Sequence, residues 1–228
     1  MGQLLMRRRE MVAAGEVPLI PADYQQVEYI ESLSTAAAGP FFNTGYNPTM
    51  TGNLVLEVDC MAISYYSDTC YPVGVCQPGT STTIAAGVYY QKDGMTVGAW
   101  NGASSLITSP TSLTNAQIKL VGTFDTSGNN SLSFNGTTAT ATAETFRSYN
   151  GLPVCLFGVK KRTSQQVSGP FRGRIYHAKI TENGVVQRDL YPCYRKSDDA
   201  PGFFDVITKT FKARSGSSTT TISVGPEV

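Results

Sequence analysis

The chain has 228 residues, 41% apolar and 15% charged, with a formal net charge of +1. That is enough apolar material for one sizeable core, and the charged fraction lies well below the roughly 25% of an average globular chain. A charge so near zero creates no global field for nucleic acid or a membrane surface, so neither is expected as a partner.

Residues 1–22 read MGQLLMRRREMVAAGEVPLIPA. After Arg7-Arg8-Arg9 comes Glu10, then only Met11 to Ala14 before Gly15. A secretory signal needs an apolar run of about 7–15 residues, so no export signal and no membrane span are expected. Gly15, Pro18 and Pro21 interrupt a segment with few large apolar residues, which leaves it unable to fold alone. It reads as an extended arm. Arg7, Arg8 and Arg9 would pair with carboxylates on a neighbouring subunit, and Leu4, Leu5 and Met11 would anchor beside them.

From residue 23 to 228 the sequence reads as one domain. A first strand is predicted over 25–31. In NLVLEVDCMAI, Leu54, Leu56, Val58, Cys60 and Ala62 share one face, which is the alternation of a half-buried strand. Strands 82–91 and 94–100 meet at Asp93-Gly94. Residues 103–115 read as a polar loop. Residues 116–138 form a hairpin around SGNN, with a second turn at Asn135-Gly136. A strand follows at 153–159, then a polar loop at 160–170. Strands 172–181 and 185–191 are joined at Asn183-Gly184, and a last strand covers 202–206. Arg172 and Arg174 share the parity of Tyr176, Ala178 and Ile180, so a bulge at Gly173 is expected to reset the faces. Many short strands, glycine-marked turns and no sustained helical period define an all-β antiparallel sandwich or barrel.

Five cysteines, at 60, 70, 76, 155 and 193, are an odd number without zinc-knuckle spacing, so they read as small buried apolar residues made in a reducing compartment.

Several ordered elements carry a resemblance. They are Tyr24 to Ser32, then Phe42-Asn43-Thr44-Gly45-Tyr46, Asn135-Gly136 and Leu156-Phe157-Gly158. Gly173-Arg174-Ile175-Tyr176, Lys179-Ile180, Asn183-Gly184 and Arg188 to Cys193 follow. Gly202 to Val206, Phe211 and Gly225 to Val228 close the set. Together they resemble the LamG-like, concanavalin A-like jelly-roll family, and more closely its variants in phages and mobile elements of gut bacteria. The stretch Ser34 to Pro40 departs from the pattern, where the usual link is short. The resemblance implies a jelly roll over about residues 24–228, with functions ranging from glycan binding and adhesion to virion decoration.

Candidate sites follow from residue chemistry. Glycoside hydrolases on this jelly roll use E-x-D-x-x-E; here Glu57 and Asp59 fill two positions and Ala62 the third, so catalysis is not expected. His177 is the chain's only histidine and lacks a carboxylate nearby in sequence, so neither a triad nor a metal site is expected around it. Calcium supports some modules of the family through loop oxygens; Asp125 with Asn129 and Asn130, or Asp198 with Asp199, are the candidates, against ordinary turn chemistry. Lys160, Lys161, Arg162, Arg172, Arg174 and Lys179 form a basic cluster suited to an acidic partner or anionic glycan. Trp100, Tyr90, Tyr66 and Tyr149 are candidates for a sugar-stacking platform, because an aromatic ring suits the apolar face of a pyranose. The hairpin from Phe171 to Tyr194 reads as frame rather than site.

The expected function is therefore a non-enzymatic bacteriophage virion structural protein, displaying a jelly roll and attached to other virion subunits by its arm. A glycan-binding adhesin module contacting host polysaccharide is the alternative. A homo-oligomer is expected in either case.

Overall fold

The computed structural model describes residues 19–34, 40–49, 51–65, 67–76, 84–143, 151–160, 167–216 and 222–228. Among these, every regular element is a strand. In chain order they are β1 (Tyr24–Gln26), β2 (Ile30–Ser32), β3 (Phe41–Asn43), β4 (Leu54–Ser64), β5 (Thr69–Cys76), β6 (Ile84–Gln91) and β7 (Thr96–Trp100). Next come β8 (Ser104–Thr108), β9 (Gln117–Phe124), β10 (Asn129–Phe134), β11 (Thr137–Thr142), β12 (Cys155–Leu156), β13 (Val159–Lys160) and β14 (Val167–Ser168). The last are β15 (Arg172–Glu182), β16 (Val185–Arg195), β17 (Ala200–Asp205), β18 (Thr210–Ser215) and β19 (Ile222–Val224).

All pairings between these strands are antiparallel. A first sheet runs β11-β10-β9-β4-β15. The far side of β15 is shared by β2, at Gly173 to Ile175, and β16, at Ala178 to Glu182. A second sheet runs β8-β7-β6-β5-β12-β3. The β16-β17-β18 ribbon carries the chain from one to the other, with β18 pairing β3. The two sheets face each other across one apolar core, which makes the fold an antiparallel jelly-roll sandwich. That core holds the predicted face of β4, Leu54 to Ala62 at alternate positions, together with Val73, Val88, Tyr90, Leu120, Phe124, Ile175 and Phe203.

The turns follow residue chemistry. Asn135 and Gly136 have φ of 48° and 77°, and Asn183 and Gly184 have 53° and 76°. Both central residues in the left-handed region give the two-residue turn whose twist matches antiparallel strands.

Four expectations are corrected. Residues 103–115 are not all loop, because β8 lies within them. Its inward residues are Ser105 and Ile107, and Ser105 Oγ donates to the Asn130 carbonyl at 3.2 Å, so the alternation was half polar and invisible to an apolar count. The stretch 153–159 splits into β12 and β13 around Phe157. Phe157 takes φ 64° while its ring is buried near Phe42, Phe171 and Phe203, and that packing offsets the backbone strain. An irregularity does fall at Gly173, where Arg172 opposes Ser64 and Gly173 opposes Ala62 with Ile63 of β4 left over, but the parity of β15 itself is reset at Tyr176: Ile175 opposes Cys60 and His177 opposes Asp59, leaving Tyr176 as the extra residue. Tyr176 is thereby turned out of the core, and Ile175, Ala178 and Ile180 face in. Finally, Ile20, which the sequence places in the arm, is buried against Cys193 and Phe204.

Candidate functional site

The registers define a grid on the outer face of the first sheet. Side chains alternate across each strand, so Glu57, Asp59 and Met61 of β4 point away from the core. One row crosses Glu31, Arg174, Met61 and Gln117; the next holds His177, Asp59 and Lys119; a third holds Asp189, Lys179, Glu57 and Val121. The extra residue Tyr176 stands between the first two rows.

The first row is tightly organised. Arg174 Nε donates to Glu31 Oε2 at 2.6 Å, and its guanidinium lies 4.2 Å from the centre of the Tyr29 ring. Tyr29 meets Tyr176 edge-on, ring centres 5.4 Å apart. Ser223 Oγ donates to the other oxygen of Glu31 at 3.1 Å. The bond with Glu31 raises the Arg174 pKa, so this cation is permanent. Partial burial raises the pKa of the Tyr176 hydroxyl, which therefore stays protonated as a donor.

The rest of the grid is also paired. His177 Nε2 and Asp189 Oδ1 are 2.6 Å apart, and the His177 ring centre is 4.8 Å from that of Tyr191. The backbone N–H of Asp189 donates to Asp205 Oδ1 at 3.2 Å, and Asp205 is fully buried, which anchors this end of the grid in the core. Glu57 is 3.0 Å from Lys119 Nζ, and Gln117 Nε2 donates to both oxygens of Asp59 at 3.0 Å. Neither carboxylate therefore stands as an isolated acid or base facing the other.

At the turn end of the same face lies a cleft of about 370 Å³, lined by Asn53, Thr123, Asp125, Asn129, Ser131 and Thr140 among others. It is polar and without aromatic groups. The Asp125 carboxylate is committed to its own turn: Oδ1 accepts from the N–H of Ser127 and Asn129 at 2.8 and 2.9 Å, and Oδ2 from Asn129 Nδ2 at 2.9 Å. Asp198 accepts from Arg195 at 2.9 and 2.6 Å. Both calcium candidates are thus occupied by N–H donors as turn chemistry. Among the described residues no three His, Cys, Asp or Glu side chains are grouped to hold a metal ion.

The outer face of the second sheet carries a different cluster. Trp100 packs with Tyr71, Tyr89, Ile84, Leu152 and Val159. The Tyr71 and Tyr89 rings lie across Gly87 and Gly98, where a Cβ would come within 2.8 and 2.3 Å of them. Tyr89 is 3% and Tyr71 9% exposed, so the cluster is mostly covered and Trp100 is its half-buried margin.

Of the four predicted stacking residues, Trp100 is on the surface and Tyr90 is not. Tyr90 is 0% exposed, its hydroxyl 3.6 Å from Cys60 Sγ inside the core; Tyr89 is the outward member of the pair. Tyr66 and Tyr149 lie outside the described residues, as do Leu4, Leu5, Arg7, Arg8, Arg9 and Met11. Of the basic cluster, Arg174 is tied to Glu31 and Arg172 Nε donates to the Leu33 carbonyl at 3.1 Å, while Lys161 and Arg162 are outside the described residues. The hairpin read as frame supplies Arg174, Tyr176, His177, Asp189 and Tyr191 to the outer grid. Sequence separation hid Tyr29, Glu31 and Asp189 as their partners; the strand alternation of 171–194 was the available signal.

No protein-family model and no curated protein matches the chain. Solved structures match in fold. Domains LG4-5 of the mouse laminin alpha1 chain align at TM-score 0.51 and 9% identity, over 90% of this chain and 48% of that one. A Ruminococcus gnavus IT-sialidase CBM40, bound to alpha2,3 sialyllactose, aligns at TM-score 0.43 and 15% identity, over 71% of this chain and 91% of that one. NanB, solved with Optactamide, aligns at TM-score 0.45 and 15% identity over 72% of this chain, which spans only 26% of NanB. The class these features define is a jelly-roll β-sandwich of the kind found in laminin LG domains.

Proposed function

We propose that the protein is a non-enzymatic carbohydrate-binding module that takes a neutral oligosaccharide on the outer face of its first sheet. The observation that carries this is the Tyr29–Arg174–Tyr176 group, held by Glu31 on an open sheet face. Sugars are recognised by aromatic rings against their C–H faces and by planar polar groups against their hydroxyls. The grid offers both, and its groups are already fixed by pairing, which lowers the ordering cost of binding. Its acids and bases largely cancel in pairs, which favours an uncharged ligand over an anionic one. The polar cleft on the same face would take a further sugar residue. A protein-docking face would instead carry an apolar centre; among the described residues, the large exposed apolar side chains, such as Leu106, Val185 and Ile207, are not part of this grid. A glycan array with the full chain tests the reading, and no binding to any neutral glycan would sink it.

Display of this module on a bacteriophage particle is a separate proposal, supported by the sequence resemblance and the Arg7-Arg8-Arg9 arm. Deleting residues 1–17 should leave a folded domain by circular dichroism and abolish incorporation into particles. Absence of the intact chain from purified particles would refute it.

A further inference from the structure

β11 is an edge strand of the first sheet, with β8 of the second sheet packed close to it without pairing. Among the described residues it pairs with β10 on one side and with no strand on the other. Exposed edges are usually blocked by lysine, proline, bulges or shortness, because their unpaired N–H and C=O groups template another strand. β11 has none of these devices: its six residues, Thr137-Thr138-Ala139-Thr140-Ala141-Thr142, are uncharged and keep unbroken register with β10.

We propose that two copies of the chain pair antiparallel through β11, with Thr140 facing Thr140 of the partner subunit across a two-fold axis. The register follows from geometry. The two-residue turn at Asn135-Gly136 makes Phe134 and Thr137 a bonded pair that exchanges both backbone hydrogen bonds. Alternation from there turns the N–H and C=O groups of Thr137, Ala139 and Ala141 toward β10. Those of Thr138, Thr140 and Thr142 point to the open side. Residues opposed across an antiparallel pair lie on the same face of the sheet, so threonine must meet threonine and alanine must meet alanine.

Centring on Thr140 brings every outward-bonding residue into a bonded pair: Thr140 with its copy, and Thr138 with Thr142 of the partner subunit. Centring on Ala139 leaves Thr142 without a partner inside the strand. On the inner face Ala139 meets the partner's Ala141, small enough for both backbones to approach. Thr140 also lines the polar cleft, so the pairing sets two clefts side by side at the axis. The inference does not depend on what those clefts bind.

Sedimentation velocity of the full chain should give twice the chain mass, and Thr140→Lys should give a monomer with an unchanged circular dichroism spectrum. Thr140→Cys should form a disulfide-linked dimer under mild oxidation, beyond any in the parent chain. Thr138→Cys alone should not, because its copies lie about 13 Å apart along the strands, whereas mixing Thr138→Cys with Thr142→Cys should. A monomer at every concentration, an oligomer untouched by Thr140→Lys, or cross-linking of Thr138→Cys without Thr140→Cys would each overturn the proposal.

Discussion

The ring of Tyr89 lies across Gly98, so that a Cβ on Gly98 would sit 2.3 Å from Cζ of Tyr89 and 2.4 Å from its hydroxyl oxygen. The close approach lets a large ring cover the second sheet while remaining 3% exposed. Gly98→Ala should cost about 1–3 kcal/mol, the usual range for overpacking. Urea denaturation measures it. In the double variant with Tyr89→Leu the two losses should be less than additive, because the shorter side chain removes the clash. Simple additivity would mean that the ring is not held against the glycine.

Asp93 closes the β6–β7 turn. Its carboxylate accepts from Thr96 Oγ1 at 2.6 Å, from Thr96 N–H at 2.8 Å and from Met95 N–H at 2.9 Å. These bonds, that from the Thr96 hydroxyl foremost, hold its pKa below the ordinary carboxylate value. A depressed folded pKa stabilises the fold above the unfolded value, near 4 for aspartate, by roughly that convention. The contribution is lost as pH falls through the folded pKa. Asp93→Asn should therefore reduce stability at pH 7, by under about 1 kcal/mol for so exposed a group. The difference from wild type should shrink below about pH 4. A difference that is constant from pH 7 to pH 3 would contradict the assignment.

Cys60, Cys70 and Cys193 are free and buried, and Cys155 is buried beside Phe41. Burial pushes the Cys70 and Cys193 thiols up to about 12, and that of Cys60 up as well. The thiolate is the reactive form, so a thiol reagent at pH 8 should leave Cys60, Cys70 and Cys193 unmodified in the native protein and label them in denaturant. Rapid native labelling, located by mass spectrometry, would count against the packing around them.

Glu57 and Asp59 face outward but are engaged by Lys119 and Gln117. With Ala62 buried where a third carboxylate would be needed, no turnover of β-glucans is expected from wild type. Glu57→Gln and Asp59→Asn should change nothing in a reducing-sugar assay. Hydrolysis lost in either variant would reinstate catalysis.

The sheet architecture was legible where apolar residues alternate, as in Leu54 to Ala62, and where Asn-Gly sets the turn. It was not legible where burial is half polar: Ser105 packs on Asn130, so Ile107 is the only apolar residue on the inward face of β8. The grid was hidden for two reasons. The extra residue at Tyr176 changes which side chains share a face, and a count by twos from Arg172 cannot locate it. Arg174 and Glu31 meet only through β2–β15 pairing, 143 residues apart in the chain. Tyr89 and Tyr90 show the same limit at one residue's scale: alternation required one to face inward, and only the packing of Tyr90 on Cys60 decided which.

The central claim concerns the face that holds Tyr29, Arg174 and Tyr176. Its most direct test is titration of the best neutral glycan from an array against wild type, Tyr176→Ala, Arg174→Gln and Trp100→Ala, each checked for folding by circular dichroism. Loss of a stacking ring or of a fixed donor should weaken binding about tenfold, or about 1.4 kcal/mol, for Tyr176→Ala and Arg174→Gln. Trp100→Ala, on the opposite sheet, should bind as wild type does. Binding abolished by Trp100→Ala and untouched by the other two would contradict the account.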